Sequence, residues 1–85
     1  MNKYTQARGK LNKKAIIDFL KLNYRWYSIS DLADILNINP SAVRSHCQNL
    51  VDRDVLEETK FYKYNNGNYQ GVHHYRYQDA SIYKS

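Results

Sequence analysis

The sequence has little cysteine, proline or glycine, and it has no long apolar run. A single cysteine, Cys47, excludes an internal disulfide in the 85-residue chain, so packing alone must hold the fold together, as in a reducing cytosol. No segment approaches the roughly 20 apolar residues of a membrane span, and no apolar run follows the N-terminal charges as in an export signal. We therefore expect a cytoplasmic protein, or one in the host-cell cytoplasm if its source is viral. The length allows one domain with one modest core, which excludes two-domain enzymes, barrels and doubly wound nucleotide-binding sheets.

The net charge of +5 is distributed unevenly along the chain. Residues 1–25 carry seven basic side chains against one acidic, residues 26–59 carry six acidic against two basic, and residues 60–85 carry four basic against one acidic. Two basic ends favour a polyanionic partner such as nucleic acid. The acidic middle favours a protein partner instead.

Periodicity predicts three helices. Residues 1–9 are polar and aperiodic up to Gly9, which predicts a flexible basic arm. From Lys10 apolar residues recur every three or four positions, which predicts an amphipathic helix. A short β-prone segment, 26–29, follows, and Ser30 is the predicted N-cap of a second helix that ends at Asn37.

The clearest helix start is Asn39-Pro40, where a capping side chain precedes a proline at the first helical position. The gap of Asn37-Ile38-Asn39 between helices predicts a steep turn with an apolar residue in its centre. The predicted core takes one apolar stripe from each helix: Ile16, Leu20, Leu32, Leu36, Val43, Cys47 and Leu50.

After residue 54 the apolar period changes towards two. Residues 55–64 and 69–77 have strand propensity, and Asn65-Asn66-Gly67-Asn68 between them is a strong turn signal, so a β-hairpin is predicted. Residues 78–85 lack a clear period and are interpreted as a C-terminal tail. The predicted domain therefore covers residues 10–77.

Helix, short strand, helix, turn, helix, hairpin is the order of an α+β winged helix-turn-helix domain, with three helices and a C-terminal hairpin as the wing. Residues 30–51, SDLADILNINPSAVRSHCQNLV, also resemble the helix-turn-helix segment of small bacterial and phage winged-helix regulators. Those families show a leucine-alanine helix, a short turn, and a helix with a serine, a valine-arginine pair and a terminal leucine. The chain departs from the pattern at Cys47, where leucine is usual, and at Asp54, where glycine is usual.

The resemblance implies a sequence-specific regulator of transcription whose partner is double-stranded DNA. A recognition helix presents side chains near its N-terminus to base edges in the major groove; here these are Ser41, Ala42, Arg44, Ser45 and Gln48. Arg44 suits guanine and Gln48 suits adenine. Phosphate contacts are expected from the wing, at Lys63 and Asn66, and from the basic arm and first helix, at Lys10, Lys13 and Lys14.

Other functional classes have weaker support. His46-Cys47 and His73-His74 do not have metal-ligand spacing, and adjacent histidines on a strand point to opposite faces. Neither a metal, a cofactor nor catalysis is expected, because no nucleophile-base grouping or glycine-rich phosphate loop is visible. The nine tyrosines are better explained by packing or by dimerisation than by stacking on unpaired bases.

Two alternatives remain. Asp31, Asp34, Asp52 and Asp54 flank the predicted recognition helix and would repel phosphates if they faced a duplex, so the domain could instead be a viral or mobile-element module that binds or inhibits a protein. A DNA-architectural or excision factor would share the DNA contacts and differ in bending the site. A homodimer is expected in the regulator, because one recognition helix reads few base pairs.

Overall fold

The computed structural model describes the backbone of residues 2–78 and the side chains of residues 11–78. Its elements in chain order are α1 (Asn2–Leu22), β1 (Tyr27–Ser28), α2 (Ile29–Leu36), α3 (Pro40–Asp52), β2 (Leu56–Asn65) and β3 (Asn68–Tyr77). The strands form one antiparallel sheet in the order β1-β3-β2. The predicted α+β arrangement of three helices and a C-terminal hairpin is confirmed.

The first helix begins earlier than predicted. α1 starts at Asn2, so the segment interpreted as an arm without regular structure is helical from its second residue. A single glycine such as Gly9 lowers helix stability by only about 1 kcal/mol relative to alanine. The neighbours Gln6, Ala7 and Arg8 are good helix formers, so the helix continues through Gly9. Residues 79–85 of the predicted tail lie outside the described residues.

The N-cap of α2 is Ser28, not Ser30 as predicted. Ser28 has an extended backbone, and its Oγ accepts a hydrogen bond of 3.0 Å from the N–H of Asp31. The Asp31 carboxylate in turn accepts from the Ser28 N–H at 3.1 Å. This reciprocal capping box needs a serine three residues before the acidic residue, and only Ser28 has that spacing.

The turn between α2 and α3 forms as the sequence predicts. Asn37 adopts the left-handed conformation with φ of 55° and ends α2. Ile38 is buried, so the turn contributes an apolar residue to the core. Asn39 caps α3, because its Oδ1 accepts from the Ser41 N–H at 2.8 Å, and Pro40 occupies the first helical position.

The core lies between the helices and the sheet. Of the seven predicted core residues all are buried except Leu36, which is half-buried at its edge. The sheet adds Leu56 and Tyr75, and Tyr75 is the largest fully buried side chain. The sequence pattern did not single out these two because strands 55–64 and 69–77 carry aromatic and apolar residues on both faces.

The two faces of the hairpin are set by the strand register. Leu56 pairs with Tyr77 and Glu58 with Tyr75, and this side meets the helices. We call it the inner face; within the hairpin it comprises Leu56, Glu58, Lys60, Tyr62, Tyr64, Tyr69, Gly71, His73, Tyr75 and Tyr77. The alternate residues form the outer face. Asn66 and Gly67, with φ of 52° and 81°, make the two-residue turn.

The outer face holds the segment before β1 against the sheet. The Arg76 guanidinium lies 4.3 Å from the Trp26 ring centre and 4.6 Å from that of Tyr24. The same side chain donates to Glu57, with Nε at 3.0 Å and Nη2 at 2.9 Å from Oε2. Phe61 packs edge-on against Trp26 at 6.1 Å. This cluster joins the loop after α1 to the middle of the hairpin.

Leu50→Ala should destabilise the domain by roughly 2–5 kcal/mol, because it removes buried methyl groups and leaves a cavity. Leu50 is 2% exposed, whereas Leu22, at the end of α1, is 85% exposed and provides the matched control. Chemical denaturation of both variants measures the difference. Equal stability of Leu50→Ala and the parent chain would contradict the packing of α3.

Ser28→Ala should lower the free energy of unfolding by about 1 kcal/mol, because it leaves the Asp31 N–H without its cap. Ser30→Ala, a change two residues away at an exposed position, should alter stability by less than about 0.5 kcal/mol. Thermal unfolding of the pair distinguishes the two caps. A larger loss of stability in Ser30→Ala than in Ser28→Ala would support Ser30 as the N-cap of α2.

Candidate nucleic-acid interface

The exposed face of α3 carries most of the residues predicted to reach bases. Val43, Cys47 and Leu50 are buried and fix the helix on the core. Ser41, Arg44 and Ser45 lie on the opposite side and are exposed. No hydrogen bond or ion pair joins the Arg44 guanidinium to another residue of the described part of the chain. Ala42 is half-buried against the core, so it offers less surface than its neighbours.

Gln48 is exposed but its amide is already engaged within the chain. Its Nε2 donates to Glu58 Oε2 at 3.0 Å and to the Tyr75 hydroxyl at 3.3 Å. The side chain predicted to pair with adenine therefore joins α3 to the inner face of the hairpin. To read a base with the same amide group, Gln48 would first have to break these two contacts.

Glu58 is the acceptor that sequence reasoning missed. Besides Gln48, its Oε2 lies 3.3 Å from His73 Nδ1, without forming a hydrogen bond. Burial raises the pKa of Tyr75 to about 12, and the neighbouring Glu58 carboxylate adds to the rise. Strand alternation places Glu58 on the same face as Leu56, so the sequence did carry a signal for the position of Glu58.

A groove of about 570 Å³ separates the N-terminal turns of α2 and α3 from β3. Pro40 and Arg44 line it from α3, and Gly71 and His73 line it from β3. Asp34 of α2 also lines this groove. The start of α3 and the body of the wing are thus two walls of one concave surface.

The predicted basic contacts of α1 have partners inside the chain. Lys13 Nζ donates to Asn49 Oδ1 at 2.8 Å, joining α1 to α3. Lys14 pairs with Asp18 at 2.8 Å, one turn along α1, and remains largely exposed. The Lys10 side chain lies outside the described side chains. Burial, with the nearby Lys13 charge, lowers the pKa of His46, which favours its neutral form.

Lys63 and Asn66 lie at different places on the wing. Lys63 pairs with Gln70 on the outer face, so it points away from the side that meets α3. Asn66 is exposed in the turn at the tip. Lys60, which the sequence did not single out, is the exposed lysine of the inner face.

The N-terminal half of α3 carries no acidic residue of its own, but Asp34 of α2 shares a groove with Pro40 and Arg44. Residues 40–51 contain no aspartate or glutamate. Asp31 belongs to the capping box of α2, and Asp52 is the last residue of α3. Since a helix rises about 1.5 Å per residue, Asp52 lies roughly 12 Å along the axis from Arg44. Asp34 lies on the α2 side of this groove.

The histidines separate as the strand period predicts. His74 packs its ring edge-on against Phe61 at 4.7 Å on the outer face, and His73 contacts Glu58 on the inner face. Across the side chains of residues 11–78, no three His, Cys, Asp or Glu residues come close enough to hold a metal ion. Within residues 2–78 no helix is both long enough and apolar enough to cross a membrane.

These elements define a winged-helix domain, with α2 and α3 as the helix-turn-helix and the β2–β3 hairpin as the wing. Residues 11–57 match the model of the family described as winged helix-turn-helix DNA-binding. The match covers more than half of the 85 residues, from α1 to the start of β2, and the chain belongs to this family. No curated protein and no solved structure matches the chain.

The Cys47 thiol should react slowly with iodoacetamide in the native protein. Burial raises its pKa to about 12, with a further contribution from the Glu58 charge. The reactive thiolate is depleted about tenfold for each unit by which the pKa exceeds the pH. At pH 8 the native thiol should react at least about a hundredfold more slowly than in the guanidinium-unfolded chain, as followed by mass spectrometry. Similar rates in both states would contradict the burial of this face of α3.

Proposed function

We propose that this DNA-binding domain is a sequence-specific regulator of transcription that acts on double-stranded DNA. In this proposal α3 enters the major groove with its first two turns, and the wing lies along the sugar-phosphate backbone. Ser41, Arg44 and Ser45 contact the bases or the adjacent phosphates. Gln48 holds α3 against the wing, and its contribution to base reading is secondary.

The observation that carries the proposal is the exposed guanidinium of Arg44, which has no hydrogen-bond or ion-pair partner among the side chains of residues 11–78. It lies four residues after Pro40 at the start of α3, where side chains of a recognition helix reach base edges. A planar guanidinium binds the O6 and N7 acceptors of guanine with two parallel hydrogen bonds. The absence of acidic residues in 40–51 leaves this surface open to a polyanion.

We further propose that two copies bind a two-fold symmetric site. One recognition helix contacts only a few base pairs, and a second copy doubles the number that is read. Closed two-fold symmetry is the commonest arrangement of homo-oligomers. The half-sites would then lie about one helical turn, roughly 34–36 Å, or a multiple of it, apart.

Arg44→Ala should weaken binding to a selected site by about 10- to 100-fold and relax the preference at one base-pair position, because it removes a bidentate base contact. Arg53→Ala is the matched control. Arg53 is also exposed and loses the same charge, but it caps the far end of α3. The site is first selected from random duplexes, and both variants are then titrated against it and against a scrambled duplex.

The pattern of losses separates the candidate functions. Equal losses of Arg44→Ala on the selected and scrambled duplexes would make Arg44 a phosphate contact and contradict base reading. If the parent chain binds no duplex even at low salt, the protein-binding alternative is favoured, with the acidic residues of α2 as its surface. Strong bending of the selected site, measured by gel mobility, would favour the architectural alternative.

A further inference from the structure

The wing presents three tyrosines on its inner face that no part of the described chain covers. Tyr62 and Tyr64 are 66% exposed and Tyr69 is 74% exposed. By contrast, the outer-face Phe61 lies between the rings of Trp26 and His74. A two-stranded ribbon has no second layer in which to bury such rings, so these tyrosines are not core residues.

The tyrosines are held in place by the hairpin itself. Tyr64 and Tyr69 are cross-strand partners, and their rings pack edge-on with centres 5.0 Å apart. Tyr62 faces Gly71, and a Cβ added to Gly71 would lie 2.9 Å from the Tyr62 ring. The ring therefore covers the bare backbone of Gly71, and the glycine is needed for this close approach. Each of the three rings thus contacts another part of the hairpin. Such contacts restrict the side-chain rotamers and lower the entropic cost of binding.

The inner face is continuous with the DNA-binding face of α3. Gly71 and His73 form one wall of the groove whose other wall contains Arg44. Lys60 is the lysine of this face, and residues 59–78 contain no aspartate or glutamate. Glu58, at the base of this face, accepts a hydrogen bond from Gln48. From Lys60 to the tip the face carries only basic and neutral groups, which suit a partner with a regular array of anionic acceptors. The outer face carries Lys63 but points away from α3.

We propose that the wing binds the sugar-phosphate backbone of duplex DNA through the hydroxyl groups of Tyr62, Tyr64 and Tyr69. The hydroxyls donate hydrogen bonds to phosphate oxygens, and the rings lie along the deoxyriboses. Lys60 adds one charged contact on the same face, and Lys63 adds none. This inference rests on the proposed function, because it assumes that α3 of the same domain is on the duplex.

The test replaces the three tyrosines together by phenylalanine, which retains the ring packing on Gly71 and across the hairpin. Loss of the hydroxyl contacts should weaken binding to any duplex by about tenfold or more. Tyrosine releases no counterion, so the slope of log affinity against log salt should not change. Lys60→Ala should reduce that slope by about 0.9, the value for one phosphate contact. Gln70→Ala, on the outer face, is the matched control and should bind as the parent does.

The outcomes separate this inference from the proposed function. If Arg44→Ala loses selectivity as expected but the triple phenylalanine variant binds like the parent at every salt concentration, the tyrosine contact is wrong and α3 still reads DNA. A larger loss for Lys63→Ala than for Lys60→Ala would place the outer face on the duplex and also overturn the inference. Tighter binding to single-stranded than to duplex DNA would assign the tyrosines to stacking on unpaired bases. If the triple variant dissociates a dimer but keeps its DNA affinity per subunit, the tyrosines instead contact a second copy of the chain. Failure of the parent chain to bind any duplex would refute the proposed function and this inference with it.

Discussion

The burial of Tyr75 is the interaction on which the relation between the recognition helix and the wing depends. Tyr75 lies on the central strand, where it pairs with Tyr27 on one side and Glu58 on the other. Its ring is fully buried against the helices, and its hydroxyl accepts a hydrogen bond from Gln48 of α3. Through its backbone pairing and its side chain, this one residue thus joins β1, β2 and α3. Because the wing is the outward continuation of the same two strands, its direction relative to α3 follows from this packing.

Three of the six acidic residues in the middle of the sequence have partners within the chain. Glu57 is paired with Arg76 on the outer face, and Glu58 accepts from Gln48 beside α3. Asp31 accepts from a backbone N–H at the start of α2. A hydrogen-bonded or paired carboxylate presents less free charge to an approaching polyanion than a solvated one does. The N-terminal half of α3 remains without acidic residues, and this agrees with the DNA-binding family of the chain.

Local signals predicted the elements well where one or two residues dictate the backbone. Asn39-Pro40 starts α3 because a cap and a fixed φ favour the first turn. Asn66-Gly67 makes the two-residue turn because both positions need positive φ. The predicted N-cap of α2 was wrong, because two serines compete for that position. Ser28 and Ser30 both precede an apolar helix, and the reciprocal bond with Asp31 decides between them.

The amino-acid pattern was sufficient for the winged-helix order, the buried stripe of α3 and the exposure of Arg44, because helix period and caps are encoded within a few neighbouring residues. Long-range packing decided which side chains share a face. Gln48 contacts Glu58 ten residues away and Tyr75 27 residues away, and Lys13 contacts Asn49 across 36 residues. The hairpin residues are aromatic on both faces, so alternation alone does not identify the inner one. Only the burial of Leu56 and Tyr75 against the helices places Tyr62, Tyr64 and Tyr69 on the side of α3 and Lys63 on the other.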